Sequence, residues 1–181
     1  MLKRCLILTA CVITIAAPLW SQANQRDPLN DKEVDQLRET AVEPEKRLKL
    51  YVQFTRERMD NVEKLRNDPK APPDRGTKIH DLLEDVASLV DEIDDNVENY
   101  DERSADLRKP LKEVIQMDSE FQTKLQQMKA QADDPKNSAQ SAEYQFALDD
   151  AIDSVNSSAG SSRKLLAEQN VKFEKKKEKK K

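Results

Sequence analysis

TKIHDLLEDVASLVDEIDDNVENYDERSADLRKPLKEVIQMDSEFQTKLQQMKAQA, residues Thr77 to Ala132, decides the fold. Alternate steps of four and three residues from Ile79 meet Leu83, Val86, Val90, Ile93, Val97, Tyr100, Ser104, Leu107, Leu111, Val114, Asp118, Phe121, Leu125, Met128 and Ala132. Ser104 and Asp118 alone interrupt the apolar series. This alternation is the heptad seam of a helix packed along its length against other helices. Leu82 and Leu89 widen the stripe, as contact with more than one partner helix requires. The unbroken phase predicts one helix, roughly 84 Å long at 1.5 Å per residue. Pro110, which lacks a backbone N–H, would kink it. Ser104 with Asp106 offers the alternative of a fresh helix cap. The expected fold is all-α, an elongated antiparallel, coiled-coil-like bundle. It has three long helices with the central one kinked near Pro110, or four if the chain breaks near Ser104.

Composition agrees. Charged residues are 36% of the chain, aromatics 4%, and there are two glycines, a balance that favours long solvated helices over sheets. The core must then be a stripe per helix. The first 23 residues differ from the rest. Met1 to Arg4 is basic, Cys5 to Ala17 is apolar, and Ser21-Gln22-Ala23 has the small-x-small form of a cleavage site. This is a secretory signal peptide with its cut predicted after Ala23, so no transmembrane span remains. Leu8-Thr9-Ala10-Cys11 also fits a bacterial lipobox, which makes a lipoprotein anchored through Cys11 the second reading. Cleavage removes Cys5, Cys11 and Trp20, and with them any disulfide or cysteine metal site. Loss of Lys3 and Arg4 takes the formal charge from -4 to -6. Seven lysines and two glutamates give residues 172–181 a charge of +5, which leaves Asn24–Val171 at -11. An acidic body with a basic tail is the main charge asymmetry.

Residues 24–30 read as a flexible lead-in, residues 31–171 as the helical domain and residues 172–181 as a lysine-rich disordered tail. The first helix starts near Asp31, breaks at Pro44, and resumes with Leu48, Tyr51, Val52, Phe54, Thr55, Met59, Val62 and Leu65. Asn67 to Gly76 (NDPKAPPDRG) is a loop, followed by Asp74 or Thr77 as N-cap. A second turn, Asp133 to Asn137, precedes a last helix capped by Asn137 or Ser138. That helix is apolar at Tyr144, Leu148, Ala151, Ile152, Val155, Ala159, Leu165, Leu166 and Phe173. Its middle, Ser157 to Ser162, has low helix propensity and predicts a local break. Short turns place the first helix on the Ile79–Tyr100 half and the last on the Leu107–Ala132 half.

No stretch carries a catalytic or cofactor motif, so neither catalytic residues, a cofactor nor a metal is expected. The acidic run Asp91 to Glu98 fails as an EF-hand: counted from Asp94, Asn99 stands where glycine is needed and Ala105 where glutamate is. The run is read as a solvated face opposite Arg47, Lys49, Arg56, Arg58 and Lys64. His80, the single histidine, has Glu84 one turn on, too few ligands for structural zinc. Lys172, Lys175, Lys176, Lys177, Lys179, Lys180 and Lys181 form the candidate contact with an anionic surface. They lack the interleaved aromatics and arginines of specific nucleic-acid recognition.

The segment DNVENYDERSADLRKP (Asp95 to Pro110), with the amphipathic helix after it, resembles uncharacterised secreted helical proteins of soil-type bacteria, and the resemblance implies no activity. Periplasmic cradle-type chaperones are similar in size and helicity, but their repeated Leu-Thr-x-x-Gln signature is absent. The expectation is a non-enzymatic periplasmic or secreted protein, an interaction or structural module of the bacterial envelope. Its partners are another protein or its own copies through the helices, or an anionic envelope surface through the tail. A chaperone-like holdase and an acidic cation-binding protein are the alternatives.

Overall fold

A computed structural model describes residues 26–70, 72–137 and 141–178. The signal segment with both readings of its processing, Ser138 as a cap, and Lys179 to Lys181 lie outside the described residues. The described residues form five helices and no strand: α1 Asp31–Glu39, α2 Pro44–Asn67, α3 Arg75–Glu102, α4 Arg108–Ala132 and α5 Gln145–Glu178. None of these helices is long and apolar enough to cross a membrane.

Local chemistry sets most of the ends. Asn30 and Glu33 make a reciprocal capping box at α1, each side chain accepting from the other's backbone N–H at 3.1 and 2.9 Å. Pro44 is the first residue of α2, where its missing N–H breaks no helical bond. Asp74 holds the N-cap position of α3 without a side-chain cap bond. The Asn137 Nδ2 donates to the Gln131 carbonyl at 3.0 Å at the end of α4, and the residues it would cap lie outside the described residues.

Thr77 to Ala132 is not one helix. α3 stops at Glu102, and Ser104 takes a left-handed φ of 60°. The Ala105 N–H reaches the Tyr100 carbonyl at 3.0 Å and the Ser104 N–H reaches Asp101 at 2.7 Å, the two bonds of a Schellman motif with serine where glycine usually stands. Pro110 falls in the first turn of α4, where no intrahelical donor is needed, so it does not kink the helix. Tyr100 and Leu107 are both buried across the turn, so the seam keeps its phase while the chain reverses.

Pairs between helices give their directions. Arg47 Nε donates to Asn96 Oδ1 at 2.9 Å and the Tyr51 hydroxyl to Glu92 Oε2 at 3.3 Å, so α2 and α3 are antiparallel. Gln122–Asn156 and Lys129–Asp149, both 2.8 Å, make α4 and α5 antiparallel. α5 runs the same way as α3 through Ser158–Asp94 and Gln169–Asp101, both 2.8 Å, and α4 the same way as α2 through Arg56–Glu120 and Lys124–Glu63. The long helices thus form a bundle-like ring, α2–α3–α5–α4, with α3 and α4 on a diagonal. α2 lies on the Ile79–Tyr100 half and α5 on the Leu107–Ala132 half, as expected, but α5 also packs along α3.

The break expected at Ser157 to Ser162 does not occur; α5 is continuous. Its seam is Tyr144, Leu148, Ala151, Val155, Ser158, Ser162, Leu165 and Gln169, in steps of three and four. The small buried members let α5 approach two helices closely, and that packing outweighs weak propensity. Where the sequence reading starts a tail at Lys172, helix continues to Glu178.

Two glycine exchanges test these backbone features by urea unfolding. Gly160 is exposed, and an added Cβ would meet nothing within 4 Å. Gly160→Ala is expected to gain about 0.5–1 kcal/mol. Ser104→Gly, relieving the left-handed residue, is expected to gain a similar amount, about 0.5–1 kcal/mol. A loss in the second variant would contradict the turn.

Candidate functional site

The seam position of Asp118 on α4 puts a carboxylate where the pattern calls for an apolar side chain. It is 0% exposed. From α3, Asp94 stands next to the seam residue Ile93 and is half-buried; from α5 come Ser158 and Ser162, one turn apart and both buried. The Ser158 hydroxyl donates its one proton to Asp94 Oδ1 at 2.8 Å. Ser158 also stands close to Asp118 and favours its charged form. Neither Asp118 oxygen, nor Ser162 Oγ, has a hydrogen-bond partner among the described residues.

Burial, and then the charge of Asp94, push the Asp118 carboxyl up to about 7, against smaller opposing effects from Ser158 and Arg163. Asp94 is also raised, by burial first; the bond from Ser158 opposes this, and Asp91 and Asp95 add to it. Two like charges in a poorly hydrated core favour sharing a proton. The groups facing the pair are Asp91 and Asp95 on α3 and Ser158 and Arg163 on α5. Arg163 is exposed and turned to Ser119 Oγ at 3.1 Å and Gln122 Oε1 at 3.5 Å.

The other buried carboxylates are matched. Arg58 donates to both oxygens of Glu33, at 2.5 and 2.6 Å, and to the Pro28 carbonyl at 2.7 Å. Burial alone would raise Glu33; the bonds from Arg58 and the Asn30 N–H outweigh it and leave the group low. Arg26 donates to Asp85 Oδ1 and the Asp81 carbonyl, both at 2.7 Å, while burial still raises Asp85. These arginines tie the segment from Arg26 to Asn30 onto α2 and α3.

The residues singled out from sequence scatter. Lys172 Nζ lies 3.9 Å from Asp101 Oδ1, and Lys175, Lys176 and Lys177 are in the last turns of α5. His80 Nδ1 faces Asp81 at 3.4 Å and Nε2 faces Glu84 at 3.7 Å on the surface of α3. Of the basic residues expected opposite the acidic run, Arg47 meets it, at Asn96; Arg56 turns to Glu120 and Arg58 to Glu33. The buried cluster was half visible: Asp118 broke the seam, and Ser158 and Ser162 continue the α5 seam at spacings of three and four.

No protein-family model, curated protein or solved structure matches the chain.

The pH dependence of folding follows from Asp118. Its folded pKa is raised, so its contribution is complete below the unfolded value near 3.8 and is lost as pH rises through about 7. At about 1.36 kcal/mol per unit, the whole span is on the order of 4 kcal/mol. Asp118→Asn removes this term. Its stability relative to the parent chain is expected to improve by about 2–4 kcal/mol between pH 5 and pH 8, measured by urea unfolding; parallel pH curves would refute the assignment.

Proposed function

We propose that the protein is a non-enzymatic interaction module of the bacterial envelope, exported by a signal peptide cut after Ala23. On this reading it is an elongated, largely antiparallel helical bundle that docks on an anionic surface through its lysine-rich C-terminal helix end. The observation that supports it is the length of α5. Arg108 stacks on the Phe173 ring at 4.6 Å, close to where α4 begins, and α5 then runs on from Glu174 to Glu178. Helix therefore carries basic residues past Phe173.

Charge supports the same orientation. A body of -11 is repelled by an anionic surface while a +5 end is drawn to it, so the molecule approaches tail first. Each lysine near such a surface contributes about 1 kcal/mol, and the attraction decays within a Debye length. The contact is sequence-independent electrostatics, without the arginine forks that recognise individual phosphates.

The test compares the chain from Asn24 to Lys181 with a variant in which Lys175, Lys176, Lys177, Lys179, Lys180 and Lys181 are glutamine. Lys172 and Phe173 stay, so the seating of α5 is preserved. Co-sedimentation with phosphatidylglycerol vesicles is expected for the parent chain, falling at least tenfold between about 50 and 200 mM salt and absent for the variant. Equal binding by both would move the interaction to the helical faces. There, capture of the same discrete envelope protein by both chains would replace the anionic-surface reading.

A further inference from the structure

Among the described residues three carboxylates are buried: Glu33, Asp85 and Asp118. The first two have an arginine bonded to them, Arg58 and Arg26. Asp118 has none within ion-pair distance among the described residues, although it is the most completely enclosed of the three. An isolated ionised carboxylate in a dry interior is costly unless a counter-charge reaches it.

What surrounds Asp118 is a set of oxygens. It has its own two, Asp94 brings a carboxylate from α3, and α5 brings the Ser158 hydroxyl, with the buried Ser162 one helical turn further along the same seam. Asp94 is half-buried, so the cluster meets solvent along one side of α3. Ser162 Oγ, one turn along α5 from Ser158, is 1% exposed and unpartnered among the described residues, a second buried polar group with nothing bonded to it. Asp91 and Asp95 flank Asp94 and Arg163 is the facing cation, so the local charge is negative. An all-oxygen donor set with surplus negative charge suits calcium and magnesium and disfavours softer metals.

We propose that Asp94, Asp118, Ser158 and Ser162 form a binding site inside the bundle for a hard divalent cation. Three helices contribute to it, so occupancy ties α3, α4 and α5 together. It is not an EF-hand: its ligands come from separate helices, which is why the loop test on the acidic run fails while the site survives. Calcium tolerates irregular coordination by six to eight oxygens, whereas magnesium requires a near-octahedral set at about 2.1 Å. The donors here are fixed on helices, so calcium is expected to bind more tightly.

The experiment uses the chain from Asn24 to Lys181, stripped with EDTA and dialysed free of it, at pH 8 and constant ionic strength. Calcium chloride and magnesium chloride are titrated separately by calorimetry and in thermal melts. One saturable equivalent with a Tm rise of roughly 5 °C or more is expected, from calcium first; a magnesium-only response would support the site and correct its geometry. Asp118→Asn is expected to abolish the equivalent while still folding, and Ser162→Ala to weaken binding about tenfold. Asp95→Asn, on the exposed face, should bind like the parent chain. Absence of heat and Tm change with both cations would overturn the site. So would an equal response from parent and Asp118→Asn, because that is screening of the acidic surface.

Discussion

Gln169 holds the reversal between α3 and α4 closed. Its buried carboxamide accepts from the Leu107 N–H at 2.7 Å and donates to Asp101 Oδ1 at 2.8 Å and to the Ala105 carbonyl at 3.1 Å. One side chain from the last helix thus satisfies two backbone groups of the turn that joins the middle two and a carboxylate at the end of α3. With the turn closed, α5 packs on α3 and α4 at once. Were Thr77 to Ala132 straight, Asp94 and Asp118 would lie about 36 Å apart along one axis. The reversal brings both carboxylates to Ser158, and the buried polar cluster exists because of it.

The apolar seam showed which residues enter the core, and it could not show the turn. Tyr100 and Leu107 are seven residues apart, so a loop between them preserves the heptad phase as well as two helical turns would. Glycine would have marked the left-handed position; Ser104 fills it without that signal. On α5 the difficulty was the opposite. Serine and glycine propensities argued for a break, while packing against two neighbours outweighs a few tenths of a kcal/mol per residue. The buried cluster required knowing that Asp118 and Ser158 share a neighbourhood, which is tertiary information. The lead-in was likewise opaque, since the Arg26–Asp85 pair joins positions far apart in the chain.

Polar residues in this core fall into two kinds. Thr55, on the α2 seam, returns its hydroxyl to the Tyr51 carbonyl at 2.7 Å and asks nothing of its neighbours. Glu33 and Asp85 bring arginines that hold the N-terminal segment in place. Each of these is complete as it stands. Asp118 differs, because its neighbours supply a second acid and hydroxyls in place of a base. An apolar residue there would pack as well and would avoid the raised pKa, so stability alone does not account for the aspartate. Its burial makes sense for a group that exchanges a charge, either a proton or a cation.

α5 links the two features with chemical content. Its middle turns supply the buried hydroxyls of Ser158 and Ser162, and its last turns carry Lys175, Lys176 and Lys177 past Phe173. Between them, Gln169, the Lys172–Asp101 pair and Arg108 over Phe173 fix the helix against α3 and α4. A lysine segment hung on a disordered linker would sample all directions and bind as a tether. One that leaves a seated helix starts from a set direction along the bundle axis, and helical geometry carries it to Glu178. The acidic body is then held behind the basic end, which converts the formal charge asymmetry of the chain into a spatial one.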